Sequence, residues 1–105
     1  RDIIIAEVKQ MQAGMAIHYL NDVKSKVSSG ADQSAINHSM SEALAFLFGM
    51  QFISETPDMN SSDVMAYVST IESDVASYAS NLTEINTLID AIASASGLES
   101  VKNNL

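Results

Sequence analysis

Apolar residues recur at three- and four-residue spacing through almost the whole chain, and that period admits helices and little else. Ile4, Val8, Met11, Met15, Tyr19, Val23 and Val27 make one such row. Val64, Val68, Ile71, Val75 and Tyr78 make a second, and Ile85, Leu88, Ile89 and Ile92 a third. The only proline is Pro57 and there are four glycines, so few positions interrupt the pattern. The pattern predicts an all-α fold.

The end signals divide the pattern into four helices. The first runs from about Asp2 to Val27, with Asp2 in the cap or first turn and Lys24 and Lys26 in the last turn, where the helix dipole favours cations. Ser28-Ser29-Gly30 stops it, and Gly30 is free to take the left-handed conformation of a helix end. The second starts at Asp32, a good N-cap, and runs to about Ser54. Its stretch from Ala43 to Ile53 is apolar almost all round, which makes it the central helix and calls for more cover than this chain supplies. The rest of a longer chain, or a second copy docking through this helix, would supply it. Glu55 to Asn60 is a loop, because Pro57 pushes Thr56 out of helical geometry. The third helix starts at Ser61 or Ser62 and continues to Leu82. The fourth starts at an N-cap on Thr83 and ends at Gly97. Leu98 to Leu105 either adds a short fifth helix or frays. Short loops join antiparallel neighbours, so the expected architecture is an antiparallel up-down four-helix bundle over residues 1–105, a single helical domain.

Composition supports folding and excludes some functions. With 47% apolar and 17% charged residues, the chain has the makings of a core. It has no cysteine, which excludes disulfides, iron–sulfur clusters and thiolate zinc sites. Thirteen acids against five bases give a net charge of −8, and no basic residue lies between Lys26 and Lys102. A nucleic-acid partner needs lysines and arginines against its phosphates, so that class is excluded. The longest apolar run, Ala43 to Met50, is too short for a transmembrane segment.

One polar constellation stands out. His18 and His38 each have an acid four residues later, Asp22 and Glu42, and that spacing puts each pair on one helix face. Folding the hairpin symmetrically about Gly30 sets His18 level with Glu42, and Asp22 level with His38. If both faces point inward, two imidazoles and two carboxylates converge. The patch has three readings. It is a site for a divalent metal such as iron, zinc or manganese, formed by His18, Asp22, His38 and Glu42. Or it is an acid–base pair for catalysis, although no matching nucleophile is evident. Or it is a set of cross-helix hydrogen bonds that satisfies polar groups in an apolar core. His18 extends the row of Met11 and Met15. His38, Glu42, Ala45, Gly49 and Phe52 form another row, in which small Ala45 and Gly49 allow close helix packing or leave room for a ligand.

Other signals are weaker. Asp58 to Ser62 starts like a calcium loop, but Asp63 stands where glycine is needed and Ser69 where the bidentate glutamate belongs. Asn37, Asn60 and Asn81 begin glycosylation sequons, which arise by chance in a chain rich in Asn and Ser. Met11, Met15, Met40 and Met50 fall at core positions and read as packing rather than as a copper site. The tyrosines and phenylalanines read as core and rim.

Residues Asn37 to Phe52, with their His-Ser-Met-Ser-Glu-Ala-Leu-Ala-Phe-Leu-Phe-Gly-Met-Gln-Phe run, resemble a helix of exported bacterial helical proteins, lipoprotein-like and related to the imelysin group. The His18-Tyr19-Leu20-Asn21 segment is similar too. The resemblance covers roughly a third of the chain. It implies that the chain is the C-terminal part of a longer protein in the periplasm or on the cell surface. It also implies a link to iron-regulated uptake. The imelysin group was once classed as peptidases, and its hallmark is Gly-x-His-x-x-Glu. Here Gly14 lies four residues before His18, and His38 four before Glu42, so neither spacing matches. No peptidase activity is carried over, and metal binding carries over only to His38 and Glu42. The expected function is a non-enzymatic helical module that binds a metal ion or small ligand through the hairpin patch. The alternative is a structural or protein-interaction domain packed on the rest of its chain.

Overall fold

A left-handed glycine closes the first helix, and the turn around it sets the hairpin on which the rest of the fold is built. Gly30 has φ 77°, a value at which a Cβ is strained. The Gly30 N–H donates to Val27 O at 3.3 Å and the Ala31 N–H to Lys26 O at 2.9 Å, the paired bonds of a Schellman ending. The chain then re-enters a helix at once. The Asp32 carboxylate accepts from the Ala35 N–H at 2.8 Å, which makes it the N-cap that the sequence predicts.

The computed structural model describes residues 2–50 and 61–105, with side chains over 10–50 and 62–105. The described elements are α1 (Asp2–Ser29), α2 (Gln33–Met50), α3 (Ser61–Ser73), α4 (Val75–Ser80), α5 (Leu82–Ser96) and a 3-10 turn (Lys102–Asn104). No strand occurs among the described residues, and the fold is an all-α helical bundle. The expected continuation of the second helix to Ser54, the loop at Pro57 and the place of Phe52 lie outside the described residues. So do the Asp2 cap and the side chains of Ile4 and Val8.

The third and fourth helices differ from expectation at their joints. The long third helix is two helices, because the backbone turns out of helical geometry at Asp74 (φ −161°, ψ 88°). The Asp74 carboxylate then accepts from the Ser77 N–H and starts α4 as its N-cap. The last long helix starts at Asn81, not Thr83. The Asn81 side chain accepts from the Glu84 N–H at 3.1 Å. Gly97 ends α5 as predicted, left-handed at φ 74°, with the Leu98 N–H bonded to Ala93 O at 3.0 Å.

Helix α1 is the hub. It packs along α2, carries α5 on another side and touches α4, while α3 packs on α2. Its buried residues are Ala13, Ala16, Ile17, Leu20 and Val23, and those of α2 are Ile36, Ser39, Met40, Ala43, Leu47 and Met50. Small residues are among the buried ones of both helices, Ala13 and Ala16 on α1 and Ser39 and Ala43 on α2. Helix α5 contributes Ile85, Leu88, Ile89 and Ile92 to the same core, as its row predicts. Polar side chains of α1 then pin the C-terminal third. The Gln10 amide donates to Ser96 O at 3.3 Å, Lys24 to the Asn86 side chain at 2.9 Å, and the Asn21 amide to Lys102 O at 2.8 Å and Leu105 O at 3.3 Å. The last residues therefore form a docked 3-10 turn.

The central helix is α1 and not α2, whose apolar second half buries Leu47 and Met50 and leaves Ala45 and Phe48 exposed. The space at Gly49, read from the sequence as close packing or room for a ligand, is occupied by Gln12, whose amide donates to Phe46 O at 3.1 Å. A Cβ on Gly49 would collide with that amide nitrogen and lie 3.3 Å from its carbon. This gives a measurable coupling. In a Gln12→Ala background, Gly49→Ala should raise stability by about 0.5–1 kcal/mol through helix propensity. With Gln12 present that gain should disappear, a coupling of about 1 kcal/mol in denaturant titrations. Additive effects would refute the contact.

Candidate functional site

The α1–α2 contact holds one polar cluster, and its centre is a serine. Ser39 is 1% exposed. Its hydroxyl donates to Asp22 Oδ2 at 2.5 Å and accepts from Lys26 Nζ at 2.6 Å. Lys26 and Asp22, one turn apart on α1, also pair directly at 3.1 Å. A hydroxyl with one donor and two acceptor lone pairs is well matched to an acceptor on one side and a cation on the other. Among the described residues no buried side-chain nitrogen or oxygen lacks a partner.

The hydrogen bond from Ser39 holds the Asp22 carboxyl below the usual carboxylate range. Lys26, by hydrogen bond and charge, and the nearby His18 act in the same direction, while burial opposes them. A carboxyl depressed in the folded state stabilises the fold above its unfolded value near pH 4, and that contribution is lost as the pH falls through the lower folded value. Asp22→Asn should therefore cost stability at pH 7. The cost is about 1 kcal/mol, since the Asp22 side chain is 37% exposed. Melts from pH 7 down to about pH 2 should show the gap to wild type closing below about pH 4. A gap that stays constant across that range would contradict the cluster.

The sequence-predicted patch is placed differently. The hairpin register agrees with folding about Gly30, because the Asp22–Ser39 bond sets Asp22 level with His38 and its neighbour. The rotation of the helices does not bring the four residues together. His18 and His38 are both exposed, and Glu42 is half-buried. Neither imidazole hydrogen-bonds a described residue; His18 instead meets Tyr19 edge-on, ring centroids 5.1 Å apart. Among the described residues no group of three or more histidines and acids is arranged to hold a metal ion. Only Asp22 joins the inward cluster, and its partners are residues that sequence reasoning passed over. In the sequence Lys26 reads as a dipole-complementing end residue, and Ser39 carries no signal of its own. The i,i+4 pairing of Asp22 with Lys26 was the available signal.

A second feature lies between α3 and α5. A cavity of about 410 Å³ is lined by Asp63, Tyr67, Thr70, Tyr78, Glu84 and two alanines. Tyr78 is buried, and its hydroxyl donates to Glu84 O at 3.3 Å. Burial, with the Glu84 carboxylate and Tyr67 adding to it, pushes its phenol up to about 12. The folded state thus keeps a proton that the unfolded chain loses near pH 10. Stability should fall from about pH 10 as the pH rises towards about 12. In Tyr78→Phe that alkaline limb should be flatter, as read by chemical denaturation across that range.

Compared with known proteins, the chain matches no family model, no curated protein and no solved structure.

Proposed function

We propose that the chain is a non-enzymatic helical module of an exported bacterial protein. It works as a structural or protein-interaction domain, through its packing surfaces rather than a reactive site. The observation that carries this reading is the Asp22–Ser39–Lys26 cluster: the inward polar groups of the hairpin are spent on joining α1 to α2. Both imidazoles stand outside it, exposed, and among the described residues no carboxylate or hydroxyl is bonded to them to make them a base. The surface for a partner is the outer side of α2, where Ala45 is exposed. The partner is the rest of a longer chain or a second copy of this one. The exported setting rests on the resemblance of residues 37–52 and of His18 to Asn21.

Thermal melts of metal-stripped protein test the reading against a divalent-metal site. Iron(II), zinc and manganese should leave the midpoint unchanged. A functional site at a hundredfold excess over its dissociation constant would add about 2.7 kcal/mol and raise the midpoint by roughly 10 °C. A rise of that size that vanishes in Glu42→Ala would overturn the proposal. Light scattering over a concentration series should show association that Ala45→Glu weakens.

A further inference from the structure

The described methionines differ in exposure, and Met65 on α3 is 42% exposed. Met40 and Met50 are 0% and 2% exposed and fill the core. Met11 is 61% exposed, so packing does not account for it. It lies on the outer face of α1 with half-buried Met15 and exposed His18, and all three line one groove of about 470 Å³. We propose that Met11, Met15 and His18 form a binding site for a soft monovalent cation, cuprous copper in the first place.

The spacing supports this. Met11 to Met15 is four residues and Met15 to His18 is three, the two separations that make helix side chains neighbours about 5–6 Å apart at Cβ. Helical side chains lean towards the N-terminus, which directs the imidazole of His18 to the turn holding Met15 and Gly14. Gly14 brings no side chain to that turn, and the nearest atom to a Cβ built there is Leu98 Cδ1 at 4.0 Å. The imidazole therefore has room to approach a thioether. Three rotatable bonds let Met11 swing into the same site.

The donor chemistry chooses the ion. Two thioether sulfurs and an imidazole nitrogen are soft to intermediate neutral donors, which favour Cu(I) over zinc, manganese or magnesium. Among the described lining residues none has a carboxylate side chain, a set that suits a soft ion better than a hard divalent one. Leu98 and Leu105 form the apolar wall of the groove. The ion enters and leaves as Cu(I), displacing solvent, and no electron is transferred. The site is separate from the surface of α2 and does not depend on the module reading.

The test is anaerobic titration of the metal-free chain with Cu(I) against a chromophoric Cu(I) chelator, with Ag(I) as a redox-inert second probe. Methionine methyl NMR is recorded in parallel. One ion per chain should bind, and the Met11 and Met15 methyls should shift while those of Met40 and Met50 stay. His18→Gln and the double variant Met11→Leu/Met15→Leu should each weaken binding by at least about tenfold. Leucine conserves methionine volume, so the metal-free melting midpoint of the double variant should match wild type and separate lost ligation from lost folding. Excess zinc should not displace the copper. Binding weaker than about micromolar overturns the site, as does full binding by the double variant or a response confined to Met59 or Met65.

Discussion

A buried hydroxyl between two charges holds the hairpin of this protein in place. Ser39 sits at the α1–α2 contact with almost no exposure, where an unbonded hydroxyl would cost a large part of a small domain's stability. It is tolerated because Asp22 and Lys26 reach it from the neighbouring helix and satisfy it from both sides. A slide of one residue along the contact would break both bonds. Apolar packing holds the helices together, and the polar cluster selects the register.

Everything else is arranged around α1. One side of it packs against α2. A second side sends Gln10, Asn21 and Lys24 to carbonyls and a side-chain oxygen of the C-terminal third, so that α5 and the last turn dock on fixed points. Next to that side Met11, Met15 and His18 line a groove edged by Leu98 and Leu105. This division leaves chemistry-bearing residues on the outside of the bundle, away from the core where the sequence pattern suggested they would meet.

The pattern misled about rotation for a geometric reason. A row repeated strictly every four residues turns about 40° past a full turn at each step, so the row from Met11 to Val27 rotates by about 160°. Such a row cannot stay on one face, and both of its ends, Met11 and Val27, are exposed. The buried face is the mixed three- and four-residue set of Ala13, Ala16, Ile17, Leu20 and Val23, which is less conspicuous because two members are alanines. The same error placed His18 and His38 inward. The α3–α4 break was missed because Ile71, Val75 and Tyr78 continue the apolar period across Asp74. The Asn81 cap could have been read, since Glu84 stands three residues on in the pattern of a capping box.

The sequence by itself determined the all-α class, the left-handed ends at Gly30 and Gly97, the cap at Asp32, the apolar face of α5 and the height at which the hairpin residues meet. Those depend on contacts within a few residues, or on a turn of fixed length, and local chemistry suffices for them. Only the tertiary structure decided which face of α1 and α2 is inside, that Ser39 rather than the histidines occupies the polar centre, and that Met11 is left outside. Helix rotation is set by how small and large side chains interdigitate across two surfaces at once, and no single row of residues carries that information.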